Sequence, residues 1–251
     1  MHLISIPVMQ DNYIWILSSP HKESIIIDPG VSLPVLQYLK KNLLTPKAIL
    51  LTHHHNDHVG GVSNILKYYP CLPVYGPIET INKGCTQPII GYNKITLLGI
   101  IFSILYIPGH TLGHIAYYSN PYLFCGDTLF SAGCGRVFEG TTKQMYYSLQ
   151  LINQLPNETL VCCSHEYTES NLKFAKYVLS NNQDIQSYQK KVKKLRLNNQ
   201  PSVPSLLRIE KIINPFLRCY DDNLVLNTTL EKKPEELWKV FSLLRKMKDQ
   251  F

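Results

Sequence analysis

Four apolar, strand-like runs in this chain each end in a turn that offers a metal-ligand side chain. Ala48 to Leu51 leads directly into Thr52-His53-His54-His55-Asn56-Asp57-His58. Phe102 to Ile107 ends in Pro108-Gly109-His110, Tyr122 to Cys125 in Gly126-Asp127, and Leu160 to Cys163 in Ser164-His165. Ordinary core packing gives no reason to put polar ligands at four strand ends. Neighbouring strands of a layered sheet, by contrast, present their ends along one edge. The spacing His53-x-His55-x-Asp57-His58 sharpens the expectation. Those side chains cannot all point one way on a strand and are spaced wrongly for one helix face, so a turn must converge them. Val59-Gly60-Gly61 suits that turn. A solvated histidine run would explain the cluster alone, but not the three further ligands.

The remaining elements follow from periodicity. Tyr13 to Leu17 and Ser24 to Asp28 read as paired strands closed by Asp28-Pro29-Gly30, and Val35 to Asn42 and Gly61 to Tyr69 as helices. From about residue 167 strand signals nearly vanish. Thr168 is the expected cap of a helix to Leu179, Asp184 of one to Leu197, and Ser205 of one to Ile212. A last helix is expected over Thr229 to Lys248, interrupted near Pro234. The chain therefore divides into a domain over 1–166 and a smaller α-helical domain over 167–251.

Bulk properties exclude several classes. With 251 residues, 45% hydrophobic and 17% charged, the chain can bury a substantial core. No apolar run reaches spanning length, and the N-terminus lacks the basic, apolar and small-residue segments of a leader, so a cytoplasmic protein without membrane association is expected. Seven cysteines without C-x-x-C argue against both a disulfide framework and a thiolate zinc site. The net charge of +7 favours an anionic partner, either nucleic acid or a small acidic substrate. The densest basic stretch, Lys190 to Arg196, reads as a solvated helix face.

Imidazole and carboxylate ligands without thiolate suit zinc, iron or manganese. Seven are too many for one tetrahedral ion, but suit two ions that share a carboxylate. His53, His55 and His110 are assigned to the first ion, Asp57, His58 and His165 to the second, and Asp127 bridges them. Two ions roughly 3.5–4 Å apart hold a shared water and lower its pKa toward about 7, which points to hydrolysis. His2 and His21 read as surface residues, His54 as a non-ligand, and His114 as a packing or supporting group rather than a ligand.

This combination resembles the metallo-β-lactamase superfamily and, within it, the hydroxyacylglutathione hydrolases of the glyoxalase II type. Beyond the ligands, the resemblance rests on Gly126-Asp127-Thr128-Leu129-Phe130, Gly133-Cys134-Gly135-Arg136, Ser164-His165-Glu166-Tyr167-Thr168, Asn214-Pro215-Phe216-Leu217-Arg218 and Arg245 to Phe251. It implies an α+β fold: a four-layer αββα sandwich followed by a smaller α-helical domain that completes a glutathione pocket. It implies hydrolysis of S-D-lactoylglutathione and related 2-hydroxyacyl thioesters to the hydroxy acid and glutathione, the second step of methylglyoxal detoxification. The attacking hydroxide would bridge two divalent ions, zinc by preference with iron and manganese compatible, and Asp57 would orient it. The glutathione contacts carry over to Arg136, Phe138, Tyr167, Arg245 and Lys248. Lys is common in the family where Arg136 stands, Tyr where Phe138 stands, and Gly where Ser164 stands. A monomer with a small-molecule substrate and no nucleic acid is expected.

The last helix offers a separate test. Leu237, Val240, Phe241 and Leu244 define an inward stripe, and its continuation falls on Arg245 and Lys248. Cations there either face an anionic substrate or complement the helix macrodipole. A superfamily nuclease and a single-iron persulfide dioxygenase are the competing enzymatic readings, because the ligand set does not specify a substrate. A degenerate binding protein is the non-enzymatic one, and the intact ligand set argues against it.

Overall fold

The computed structural model describes residues 1–91, 94–226 and 234–251. They form two compact units that interleave in sequence: Met1–Tyr106 with Gly113–Gly126, and Ile107–Leu112 with Asp127–Phe251.

In the first unit, β1 (His2–Val8), β2 (Asn12–Ser18) and β3 (Glu23–Ile27) form an antiparallel meander. After α1 (Leu33–Asn42), β4 (Thr45–Leu50) returns parallel to β3. The short helices α2 (Asn56–Val59) and α3 (Val62–Tyr68) follow, and β5 (Val74–Gly76) and β6 (Gln87–Pro88) extend the parallel edge. β2 is buried along its whole length, as expected of a strand covered on both faces. Val35 and Leu39 of α1 and Val62 and Ile65 of α3 share one apolar cluster with Ile14, Ile16, Ile26 and Ile49 of the sheet. A second antiparallel ladder runs through β7 (Lys94–Leu97), β8 (Ile100–Tyr106), β9 (Ile115–Ser119) and β10 (Tyr122–Gly126). The Tyr117 hydroxyl on β9 donates to the Leu51 carbonyl at 2.9 Å, anchoring the end of the β4 run just before the histidine cluster. Burial, then the charge of Asp28, pushes that phenol well above its ordinary pKa, so it stays a donor.

The second unit contains the hairpin β11 (Leu129–Phe130) and β12 (Gly133–Cys134), then α4 (Thr142–Asn153) and β13 (Leu160–Cys163). Helices α5 (Thr168–Val178) and α6 (Gln183–Leu197) follow, then β14 (Ser205–Leu206), α7 (Leu207–Ile213), α8 (Asp222–Leu226) and α9 (Trp238–Gln250). α4 starts at a capping box between Thr141 and Gln144. Asn182, not Asp184, caps α6, its side chain accepting from the Ile185 amide. Ser205 does not cap a helix: Ser205 and Leu206 pair with Val161 and Leu160 as a strand, so tertiary pairing overrides a local capping signal. The expected start of the last helix at Thr229 lies outside the described residues; the described helix begins at Trp238. Its inward face carries Val240, Phe241, Leu244 and Arg245. No helix among the described residues is long and apolar enough to cross a membrane, and none of the seven cysteines is in a disulfide.

Candidate active site

In the first unit the turn after β4 gathers four of the expected ligands. His53 and His58 are buried, and His55 and Asp57 are partly exposed. His53 Nε2 faces His55 Nδ1 at 3.1 Å, and Asp57 Oδ2 stands 3.5 Å from His58 Nε2. The turn is braced by a residue that the motif reading left as part of a β-turn. Asp28, 3% exposed, accepts the Thr52 amide through Oδ1 (2.8 Å) and the Thr52 hydroxyl through Oδ2 (2.7 Å). Oδ2 also lies 3.1 Å from His58 Nδ1. Asn12 donates from Nδ2 to Asp57 Oδ2 at 3.0 Å. Gly30 is required beside them, since a Cβ there would sit 1.8 Å from the Asp57 carbonyl oxygen.

The other first-unit histidines have distinct roles. His54 pairs through Nδ1 with Glu79 Oε1 at 3.2 Å, while Glu79 Oε2 accepts the Gly113 amide at 2.6 Å. His114 is buried and stacks on His53, with ring centroids 4.6 Å apart and planes at 17°. His2 and His21 are exposed.

In the second unit, Asp127 lies between two imidazoles. His110 Nε2 is 3.4 Å from its Oδ2, and His165 Nε2 is 3.4 Å from its Oδ1. The loop after β12 orients His110, whose Nδ1 donates to the Arg136 carbonyl at 2.8 Å. Gly135 permits that approach: a Cβ there would fall 1.8 Å from the Asp127 carbonyl oxygen and 3.3 Å from His110 Nδ1. The hairpin is latched by side chains from later helices. Asn171 donates to the Ser131 carbonyl and Asn214 to the carbonyls of Phe130 and Gly133. Glu210 accepts from the Ser131 hydroxyl and the Ala132 amide, both at 2.7 Å.

These residues open on a cavity of about 670 Å³ within the second unit, inside the size range of small-molecule sites. His110 and Asp127 line it with the expected substrate residues Arg136, Phe138, Tyr167, Arg245 and Lys248. Tyr167 stacks on His165 at 4.7 Å with planes at 5°, and Phe138, 61% exposed, tilts against His110 at 5.2 Å. Arg245 is 5% exposed, and its NH1 donates to the Cys134 carbonyl at 2.9 Å. Lys248 lies over the rings of Phe174 and Phe251. Burial, then the neighbouring Arg245 charge, holds its ammonium below the usual amine range, so an incoming anion would relieve it. Burial pushes the Cys134 thiol up to about 11, so it is no nucleophile at neutral pH.

The donor set fits divalent cations. His53 Nδ1 lies against Thr52 Oγ1 (3.0 Å), His58 Nδ1 against Asp28, and His110 Nδ1 against a carbonyl. Each ring thereby presents Nε2, the arrangement that supporting hydrogen bonds impose on metal-ligating histidines. Asp28 and Asn12 were missed from the sequence because neither belongs to a ligand spacing. The signal available was Asp28's position at the end of β3, which repeats the strand-end pattern of the ligands.

Comparison with known proteins agrees with this geometry. The Metallo-beta-lactamase superfamily profile matches residues 7–84 and 90–165, and the Hydroxyacylglutathione hydrolase C-terminus profile matches 166–251. The chain is 61% identical to the hydroxyacylglutathione hydrolase of Edwardsiella ictaluri (strain 93-146) and 55% identical to that of Yersinia enterocolitica, each over 100% of both chains. Among solved structures, the BLEG-1 B3 metallo-beta-lactamase superposes with a TM-score of 0.62 at 28% identity, over 65% of this chain and 91% of that one. TTHA1623 in a di-iron-bound form gives a TM-score of 0.58 at 25% identity, over 86% and 100%. ETHE1 from Myxococcus xanthus gives 0.60 at 23% identity, over 85% and 96%, a likeness of fold alone. The expected α+β metallo-β-lactamase fold with a helical C-terminal part is thus borne out.

Proposed function

The chain belongs to the hydroxyacylglutathione hydrolases of the metallo-beta-lactamase superfamily, and from that membership we infer that it hydrolyses S-2-hydroxyacylglutathione thioesters, S-D-lactoylglutathione first among them. The observation that carries the reading is a single cavity that joins the ligand pair His110 and Asp127 to the cations Arg136, Lys173 and Lys248. A small polyanion with a reactive carbonyl is the chemistry it suits. The net reaction breaks the acyl C–S bond, adds water oxygen to the acyl carbon and releases the sulfur as a thiolate, a good leaving group.

His53, His55 and His110 would hold one divalent ion, Asp57, His58 and His165 a second, and Asp127 would contribute to both. We propose zinc; imidazole and carboxylate donors also suit iron, and TTHA1623 is a neighbour solved in a di-iron-bound form. Bound there, such a pair would make water acidic enough to attack at neutral pH and would polarise the carbonyl. The chain's own side chains do the rest. Asn12 fixes the Asp57 carboxylate, which would orient the attacking water. Tyr167 and Phe138 would flank the peptide of glutathione, and Arg136, Arg245 and Lys248 would supply positive potential for its carboxylates. We assign residues 1–166 to the catalytic domain and 167–251 to the domain that completes the pocket. We propose a monomer working in the cytoplasm, a reducing compartment in which seven free thiols would persist.

The test is hydrolysis of S-D-lactoylglutathione by metal-replete protein, with EDTA-treated protein as control. Metal-dependent turnover is expected. No turnover by protein holding two metals per chain would overturn the substrate assignment, and phosphodiester cleavage would then be assayed.

A further inference from the structure

In the second unit the packing of α5 against α6 brings like charges together. Glu169 and Lys173 lie one turn apart on α5, and Gln189, Lys190 and Lys193 share one face of α6. These five residues line a groove of about 460 Å³, inside the size range of small-molecule sites. Elsewhere exposed lysines find carboxylates: Lys47 reaches Glu23 at 3.1 Å and Lys239 reaches Glu236 at 3.0 Å. Lys173, Lys190 and Lys193 have no ion-pair or hydrogen-bond partner among the described residues, and Glu169 pairs with none of them. A solvated helix face accounts for Lys194, which lies outside the groove. It does not account for Lys173, which meets the α6 lysines from a different helix.

Three unpaired ammonium groups around one concavity repel each other, a cost that a multiply charged anion between them would offset. Lysine binds phosphate as a point charge, and each phosphomonoester carries about −1.5 to −2 at pH 7. No aromatic ring lines the groove, so it offers no platform for a nucleotide base, whereas Gln189 offers an amide to hydroxyl groups. Glu169 would oppose the next phosphate of a continuous polyanion, which favours a small ligand over a nucleic acid. We propose that the α5–α6 groove binds a small hydroxylated bisphosphate of the sugar-phosphate kind, and that its occupancy opposes binding of the anionic thioester. The link is Lys173, which lines both this groove and the catalytic cavity. A bisphosphate draws that ammonium toward itself and lowers the positive potential of the cavity, and the opposition is reciprocal. This coupling rests on the glutathione-thioester reading above; the groove itself does not.

The test is calorimetric titration of metal-replete protein with fructose 1,6-bisphosphate at fixed ionic strength, with fructose as the uncharged control. Saturable binding of the bisphosphate alone is expected. Lys190→Gln combined with Lys193→Gln should weaken it roughly tenfold. Lys176→Gln combined with Lys194→Gln removes equal charge from exposed positions outside the groove and should leave it within about twofold. Saturating bisphosphate should raise KM for S-D-lactoylglutathione roughly two- to fivefold at unchanged kcat in the wild type, and not in the Lys190/Lys193 variant. No binding, or an equal loss in both double variants, overturns the site and leaves a solvated lysine face. An unmoved wild-type KM overturns the coupling, as does a rise that survives in the Lys190/Lys193 variant, which would put the bisphosphate at the metal ligands. If the protein hydrolyses no glutathione thioester, the substrate reading falls, while the calorimetry still decides the groove.

Discussion

Asp28 touches no substrate-facing group, yet it braces the turn that carries four ligands. Its carboxylate fixes the Thr52 amide and hydroxyl and faces His58 Nδ1. Replacing such a supporting partner of a metal ligand typically costs 10–100-fold in metal affinity. Asp28→Asn is therefore expected to weaken metal binding by roughly that factor at modest cost in secondary structure, measured by titration in metal buffers with circular dichroism alongside. Unchanged affinity would reduce Asp28 to a packing role. Arg245 calls for a split readout, because it meets both a carboxylate and the hairpin carbonyls. Arg245→Ala should raise KM and also destabilise by about 2 kcal/mol, since the Cys134 carbonyl loses its donor. A lowered melting temperature with unchanged KM would make it scaffold alone.

At the scale of elements, the β11–β12 hairpin depends on α7. Glu210 is fully buried, and burial raises its carboxyl pKa above 4.5, against the lowering effect of its hydrogen bonds. A folded-state pKa above the unfolded one means the folded protein binds more protons in that window. Stability should therefore fall as pH rises from about 4.5 toward the folded value. Glu210→Gln removes the titration, so its melting temperature should change less over that range than the wild type's; parallel curves would exclude the assignment. Little of this latch was legible in sequence. Ser205 reads locally as a cap, yet it pairs in a strand with Val161 because a partner about 44 residues away decides the matter. The elements with a strong local period did emerge: β13 matched its expected bounds of Leu160 to Cys163, and the inward stripe of α9 ran on into Arg245. The strand-end ligands were legible because one side chain type recurs at one kind of place. Asn12 and Glu79 were not, because an isolated polar residue carries no period and its partners lie far along the chain.

For the whole molecule, metal is expected to be a stability term as well as a chemical one. Ions bound by the folded chain and not by the unfolded one stabilise it by about 3 kcal/mol at a hundredfold excess over Kd. EDTA treatment should accordingly lower the melting temperature, and zinc should restore it together with activity. Recovery of activity with no thermal shift would mean that the ligands are rigid without metal. The net charge of +7 adds a long-range field that draws anionic substrate, so KM should also rise with ionic strength.

The interleaving of the two units has a consequence for synthesis. Ile107–Leu112 belongs with Asp127–Phe251, so it leaves the ribosome before any of its own unit exists. Pro108 must wait for the Ser148 hydroxyl that its carbonyl accepts, and Gly109 for Met145, against which it packs. His110 waits for the Arg136 carbonyl. Asp127 is translated more than a hundred residues ahead of the Arg245 guanidinium that closes over the Cys134 and Gly135 carbonyls. A nascent chain halted before α9 would lack the Arg245 donor to those carbonyls and the Arg245, Lys248 and Asp249 part of the cavity lining, so the cavity is complete only once the last helix is made.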